Sequence, residues 1–157
     1  LDTLNQVRER EAGEIVAHLL RHNDAILRAA KELAAIRTRA VPLFEARLSE
    51  RLRDLLRGQT IDPQRLAQEV AMLVDRSDIS EEIQRLEIHA GQLRALFAGG
   101  GEIGKKLDFL LQEMNRETNT ILSKTTGIGE TGLRITELAL AAKADIEKIR
   151  EQSLNLE

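Results

Sequence analysis

At 157 residues the chain is long enough for one domain with a real core. Two prolines and no cysteine exclude a disulfide scaffold and a cysteine-based metal site. The net charge of −3 argues against broad coating of nucleic acid, though a local basic patch stays open, and three Phe as the only aromatics disfavour base stacking on an aromatic platform.

No apolar run approaches the roughly eighteen residues that cross a membrane, and no charged stretch precedes an apolar one as in a signal peptide. A cytoplasmic setting is expected. The first residue is Leu, not Met, which reads as a piece of a longer protein or a processed terminus. High aliphatic and Ala content with few β-branched runs predicts an all-α fold: long antiparallel helical hairpins forming a bundle of about five helices.

The first helix is expected over about residues 3 to 40. Ile15, Leu19, His22, Ile26, Ala29, Leu33 and Ile36 alternate spacings of four and three, a seam buried against a partner helix. Such length, roughly 60 Å at about 1.5 Å per residue, suggests a long hairpin or an oligomer seam. Pro42 either opens a second helix that Gly58 stops, or kinks the path. Asp62 caps a third helix with Pro63 at its first position and Ile61 as the hydrophobic staple. A break near Asp75, Ser77 and Asp78 precedes a helix capped by Ser77 or Asp78, with Glu81 as the box residue if Asp78 caps; Ile79, Ile83, Leu86, Ala90, Leu93 and Phe97 form its seam. Gly99 to Gly101 end it. The next helix buries Leu107, Leu110, Met114 and Ile121. After a loop in "TTGIGETG", the last helix runs from Gly132 and buries Ile135, Leu138, Ala142, Ile146 and Ile149.

Several polar constellations stand out. Gly99, Gly104 and Lys105 match the spacing G-x-x-x-x-G-K, but Lys106 occupies the Ser/Thr position and no strand precedes, so a tight interhelical turn is the better reading. Asp78, Glu82, Arg85 and His89 share one helix face beside the seam. That pattern suits either a salt-bridged flank or a site holding a divalent ion. Asp108, Gln112, Asn115 and Asn119 form a second stripe, with Glu113, Arg116, Glu117 and Thr120 on the neighbouring flank. Asn is a poor interior helix former, so either a buried polar network or a ligand holds these residues. His18 and His22 lie four apart, a spacing that can bind zinc, but no further ligand is visible, so His22 reads as a seam residue and His18 as its flank. Six Arg face three acids between Arg37 and Arg57, and six acids face two Arg between Glu69 and Glu87. This suits phosphate gripping beside an ion, and equally subunit pairing.

"GKKLDFLLQEMNRETNTILSK" resembles the C-terminal signature of the bacterial YicC/YloC family of stress-associated endoribonucleases. So do "IDPQRLAQEVAMLVDRSDISEEIQRLEIHAGQLRALF" and "LRITELALAAKADIEKIREQSLNLE". The likeness runs from about residue 5 to the end. Matching polar positions are Asp78, Glu81, Glu82, Arg85, His89, Lys106, Asp108, Gln112, Glu113, Asn115, Arg116, Glu117, Asn119, Ser123 and Lys124. Thr118 stands where Ala is usual, and "TTGIGETG" departs from the common loop.

The resemblance implies that residues 1–157 are the helical C-terminal part of a protein whose β-rich N-terminal domain is absent here. It implies RNA as the partner, a homo-oligomer, with a hexamer expected of the full-length protein, no membrane, and a divalent cofactor, Mn2+ or else Mg2+. With the two polar stripes it gives a metal-dependent endoribonuclease. Glu82, His89, Glu113 and Glu117 are the expected ion ligands, with His89 the alternative acid or base. Arg85 and Arg116 are expected to steady the phosphate, and Asp78, Asp108, Gln112, Asn115 and Asn119 to orient the ligands. The alternative is a non-catalytic helical scaffold for oligomerisation or RNA binding.

Overall fold

A computed structural model describes residues 1–59, 62–99, 103–125 and 129–156. Among them are five α-helices, α1 (Asp2–Leu55), α2 (Pro63–Arg76), α3 (Ser80–Gly99), α4 (Gly104–Lys124) and α5 (Gly129–Ser153), followed by a 3-10 turn at Leu154–Leu156. No strand occurs among the described residues. The expected all-α bundle is what forms.

Four of the helices close a ring in which α1 packs on α3 and α5, and α4 packs on α3 and α5. Paired side chains set the directions. Arg37 meets Asp78 and Arg94 meets Asp24 between α1 and α3. Arg134 meets Glu32 and His22 meets Asp145 between α1 and α5. In each case the number rises along one helix as it falls along the other, so neighbours run antiparallel. Short connections between consecutive helices favour this up-and-down order. The core takes the expected seams: Leu19, Ile26 and Leu33 of α1, Leu86 and Leu93 of α3, Met114 and Ile121 of α4, and Ile146 and Ile149 of α5 are all essentially inaccessible.

One expected boundary is corrected. There is no second helix at Pro42, because α1 continues through it for 54 residues, about 80 Å at about 1.5 Å per residue. Proline lacks the N–H that would bond the Thr38 carbonyl. Thr38 and Pro42 are both exposed, so water can satisfy that carbonyl. The helix ends where Arg57 and Gly58 turn left-handed, with φ of 44° and 78°. Beyond the bundle, α1 projects at both ends. Residues 1–14 are exposed throughout, and towards its other end α1 packs on α2.

The caps follow the chemistry expected of them. Asp62 accepts from the Gln64 N–H at 3.2 Å, with Pro63 at the first helical position. Asp78, not Ser77, caps α3, accepting from the Ser80 N–H at 3.0 Å and the Ser80 hydroxyl at 2.9 Å. Glu81 turns to Arg85, at 3.3 Å. The last helix begins at Gly129, three residues before the expected Gly132. Ile61, Gly100 and Gly101, and the loop at 126–128 lie outside the described residues.

Candidate metal centre and nucleic-acid interface

Helices α3 and α4 carry a ladder of ionisable groups along their seam. At one end the Glu82 carboxylate, 4% exposed, accepts from Lys124 Nζ at 2.7 Å. One turn on, the Arg85 guanidinium donates to Glu117 at 2.9 Å through Nε and lies 3.3 Å from Glu81 and 3.7 Å from Glu82. The neighbouring Glu117 carboxylate, through its hydrogen bond and its charge, raises the Arg85 pKa further above its ordinary value. One more turn on, His89, Glu113 and Glu117 bring one ligating atom each within 4.8 Å of one another.

The helix period explains the convergence. Glu113 and Glu117 are four apart and share a face of α4. Glu117 lies across the antiparallel seam from Arg85, four residues before His89 on α3. Glu117 is buried and the other two half-buried. His89 Nδ1 lies 3.2 Å from Gln92 Oε1. A carbonyl oxygen only accepts, so Nδ1 donates there, and in the neutral ring Nε2 keeps the lone pair that can ligate. Arg116 lies 3.6 Å from Glu113 with its own side chain 74% exposed. One imidazole and two carboxylates form a donor set suited to a divalent cation.

Of the four expected ligands the structure brings three together. Glu82 stands seven residues before His89 on α3, about 10 Å along the helix, with Arg85 between it and Glu117. Its Oε2 is buried without a partner. The expected orienting residues lie elsewhere. Asp78 caps α3 and accepts from Arg37 Nε at 2.8 Å. Burial pushes its carboxyl pKa up, but the bonds from Ser80 and Arg37 and the Arg37 charge outweigh this and hold it below the usual carboxylate range. Asp108, Gln112 and Asn115 line a cleft of about 100 Å³ with Ile146, Glu147 and Arg150 of α5. Asn119 accepts from Lys143 of α5 at 2.8 Å. The stripe faces α5 because Asn115 follows Glu113 by two residues, about 200° around the helix.

Two neighbours carried no sequence signal strong enough to single them out. Gln92 Oε1 contacts His89 Nδ1 at 3.2 Å, and only its i,i+3 spacing could have suggested it. Phe109, one turn before Glu113, is 59% exposed. With Gln92, Lys105 and Lys106 it lines an open groove at the α3–α4 end. The groove joins the carboxylate site through Gln92, and it sets two cations and an aromatic face beside it.

Among the described residues no helix is long and apolar enough to cross a membrane. The family model described as endoribonuclease YicC-like, C-terminal, matches residues 30–157. A probable endoribonuclease YicC of Clostridioides difficile is 39% identical over 155 residues, 98% of this chain and 51% of the relative. A probable endoribonuclease YicC of Haemophilus influenzae is 43% identical over 97 residues, 62% of this chain and 32% of the relative. The chain thus spans about half the length of the first of these relatives and about a third of the second. With the match over 30–157, the chain belongs to the endoribonuclease YicC-like family and carries its C-terminal region.

Proposed function

We propose that this region is the ion-binding and RNA-contacting part of a divalent-metal-dependent endoribonuclease. The observation that carries the reading is the convergence of His89, Glu113 and Glu117 within 4.8 Å. Both relatives described above bear the name probable endoribonuclease. His89 Nε2 and one oxygen each of Glu113 and Glu117 would hold the ion. When bound, the ion supplies Lewis-acid stabilisation of charge on a phosphodiester. Mn2+ or Mg2+ suits the carboxylate-rich set.

The chain's own residues do the rest. Arg85 holds Glu117 through Nε and has a half-exposed guanidinium beside the site. Arg116 reaches solvent next to Glu113 and is placed to contact a phosphate. Lys105 and Lys106 extend the cationic track, with Phe109 offering one face to a base. The buried Glu82 carboxylate and the half-buried Lys124 ammonium pair across α3 and α4 and fix their register. We propose further that a β-rich N-terminal domain precedes this region in the full-length protein. That protein would be a cytoplasmic, stress-associated homo-oligomer, expected to be a hexamer. The exposed Leu1, Leu4 and Val7 on the projecting start of α1 support further contacts there.

The test is Mn2+-dependent cleavage of labelled RNA by the full-length protein and by Glu113→Gln and Glu117→Gln. Loss of cleavage in both, with RNA binding kept, is expected; unchanged rates in both would remove the assignment. One observation favours a second reading, a non-catalytic scaffold: Glu82 and Glu117 are already paired with Lys124 and Arg85. On that reading Glu117→Gln lowers thermal stability, and neither the parent nor the variants cleave RNA.

A further inference from the structure

His18 and His22, one turn apart on α1, lie on the opposite side of the bundle from the α3–α4 ladder, against α5. Their spacing alone left both without a further ligand. The fold supplies the missing group from 123 residues away: the Asp145 carboxylate lies 2.8 Å from His22 Nδ1. Both side chains of that contact are largely buried, 17% and 20% exposed. The two imidazole Nε2 atoms then face each other at 3.3 Å, the rings meeting edge to face at 86°.

The hydrogen bonds determine where the protons sit. Asp145 accepts, so His22 Nδ1 donates, and in the neutral ring its Nε2 carries a lone pair. Arg21 Nη2, 3.3 Å from His18 Nδ1, can only donate. His18 Nδ1 is therefore the acceptor, and His18 Nε2–H points its proton at His22 Nε2. The His22 Nε2 lone pair is held by that His18 proton. Both nitrogens become electron donors when this single proton shifts to His18 Nδ1 and the exposed Arg21 swings away.

The separation matches a particular ion geometry. Zn–N bonds of about 2.0–2.1 Å place two ligands of a tetrahedron about 3.3–3.4 Å apart, whereas right-angled octahedral ligands sit about 2.9 Å apart. A carboxylate on the far nitrogen of a ligating His is the usual device that orients the ring and raises its basicity. Two imidazoles select borderline ions, in contrast to the carboxylate-rich set of His89, Glu113 and Glu117.

We propose that His18 and His22 form a second metal site, for a late first-row divalent ion such as Zn2+. Both Nε2 atoms ligate, water fills the open positions, and Asp145 orients His22. The bound ion clamps one turn of α1, the turn that His22 already holds to Asp145 of α5.

The chain has three histidines, so ring 15N spectra resolve the question residue by residue. The expected result is that Zn2+ shifts the Nε2 signals of His18 and His22 together, at one equivalent, in the Glu113→Gln/Glu117→Gln background. His18→Ala abolishes that equivalent in calorimetric titration. Asp145→Asn weakens it by about 10- to 100-fold. The His18 bonds to Arg21 and His22 both lie within α1, so its variant keeps the fold, checked by circular dichroism. Unmoved His18 and His22 signals at saturating Zn2+, or an unchanged equivalent in His18→Ala, would mean a hydrogen-bonded pair only and overturn the proposal. Neither outcome depends on RNA cleavage.

Discussion

Replacing Glu117 by Gln keeps the shape of a buried side chain but removes one of two negative charges from the proposed ion site. An ion that binds only the folded chain stabilises it by RT ln(1 + [ion]/Kd), about 2.7 kcal/mol at 100 times Kd. Loss of an orienting partner alone weakens a metal site by about 10- to 100-fold. Loss of a charged ligand should reach at least the upper end. At the same Mn2+ concentration a 100-fold weaker site contributes RT ln 2, about 0.4 kcal/mol. The difference, about 2.3 kcal/mol, corresponds to about 5–9 °C of Tm for a chain of this size. The assay is thermal unfolding with and without Mn2+ for the parent and Glu117→Gln. Each is compared with its own ion-free Tm, because the lost Arg85 contact lowers stability on its own account. The reasoning is refuted if Mn2+ raises the Tm of both proteins by the same amount.

Asp78 is held below the usual carboxylate range, so its contribution to stability is fully present above its ordinary pKa of 3.8 and is lost as pH falls through the lower folded-state value. Acid titration of Asp78→Asn should therefore show a shallower loss of stability on that limb; a limb as steep as the parent's would contradict this. Asn23 is fully buried, donates to the Ala90 carbonyl at 2.9 Å and leaves its own Oδ1 without a partner. Asn23→Leu relieves a penalty of about 1–3 kcal/mol and forfeits a bond worth about 0.5–1.5 kcal/mol, so denaturant unfolding should show a gain of about 1 kcal/mol. A loss would show that the amide sets the α1–α3 register. Pro42→Ala restores one helical hydrogen bond in an exposed turn. Slower amide exchange at residues 40–55 is expected, and faster exchange would show that the proline stiffens that arm.

The seams were legible because apolar residues repeating by four and three point to one side of a helix whatever lies opposite. Hence Leu19, Ile26 and Leu33, or Ile83, Leu86 and Ala90, needed no structure to be placed in the core. The same period put Glu113 and Glu117 on one face, and His89 on the face of Glu82 and Arg85. Spacing does not say which neighbour a polar face meets. Asp108, Gln112 and Asn115 therefore read as part of one site with Glu113, although two residues of offset turn them to α5. Nor does spacing rank competing partners: Lys124, 42 residues on, lies 2.7 Å from Glu82, a pairing that no local pattern shows. Pro42 reads as a boundary because propensity is local, whereas α1 runs on through it. Asp145 lay beyond reach of any local pattern, since its meaning comes only from the antiparallel docking of α5 on α1.

The most direct measurement is an anomalous difference map from a crystal of the full-length protein soaked in Mn2+. The account predicts one strong peak at the α3–α4 seam, about 2.0–2.3 Å from a nitrogen of His89 and from oxygens of Glu113 and Glu117. No peak at saturating Mn2+, with Arg85 still filling the space beside Glu117, would contradict it.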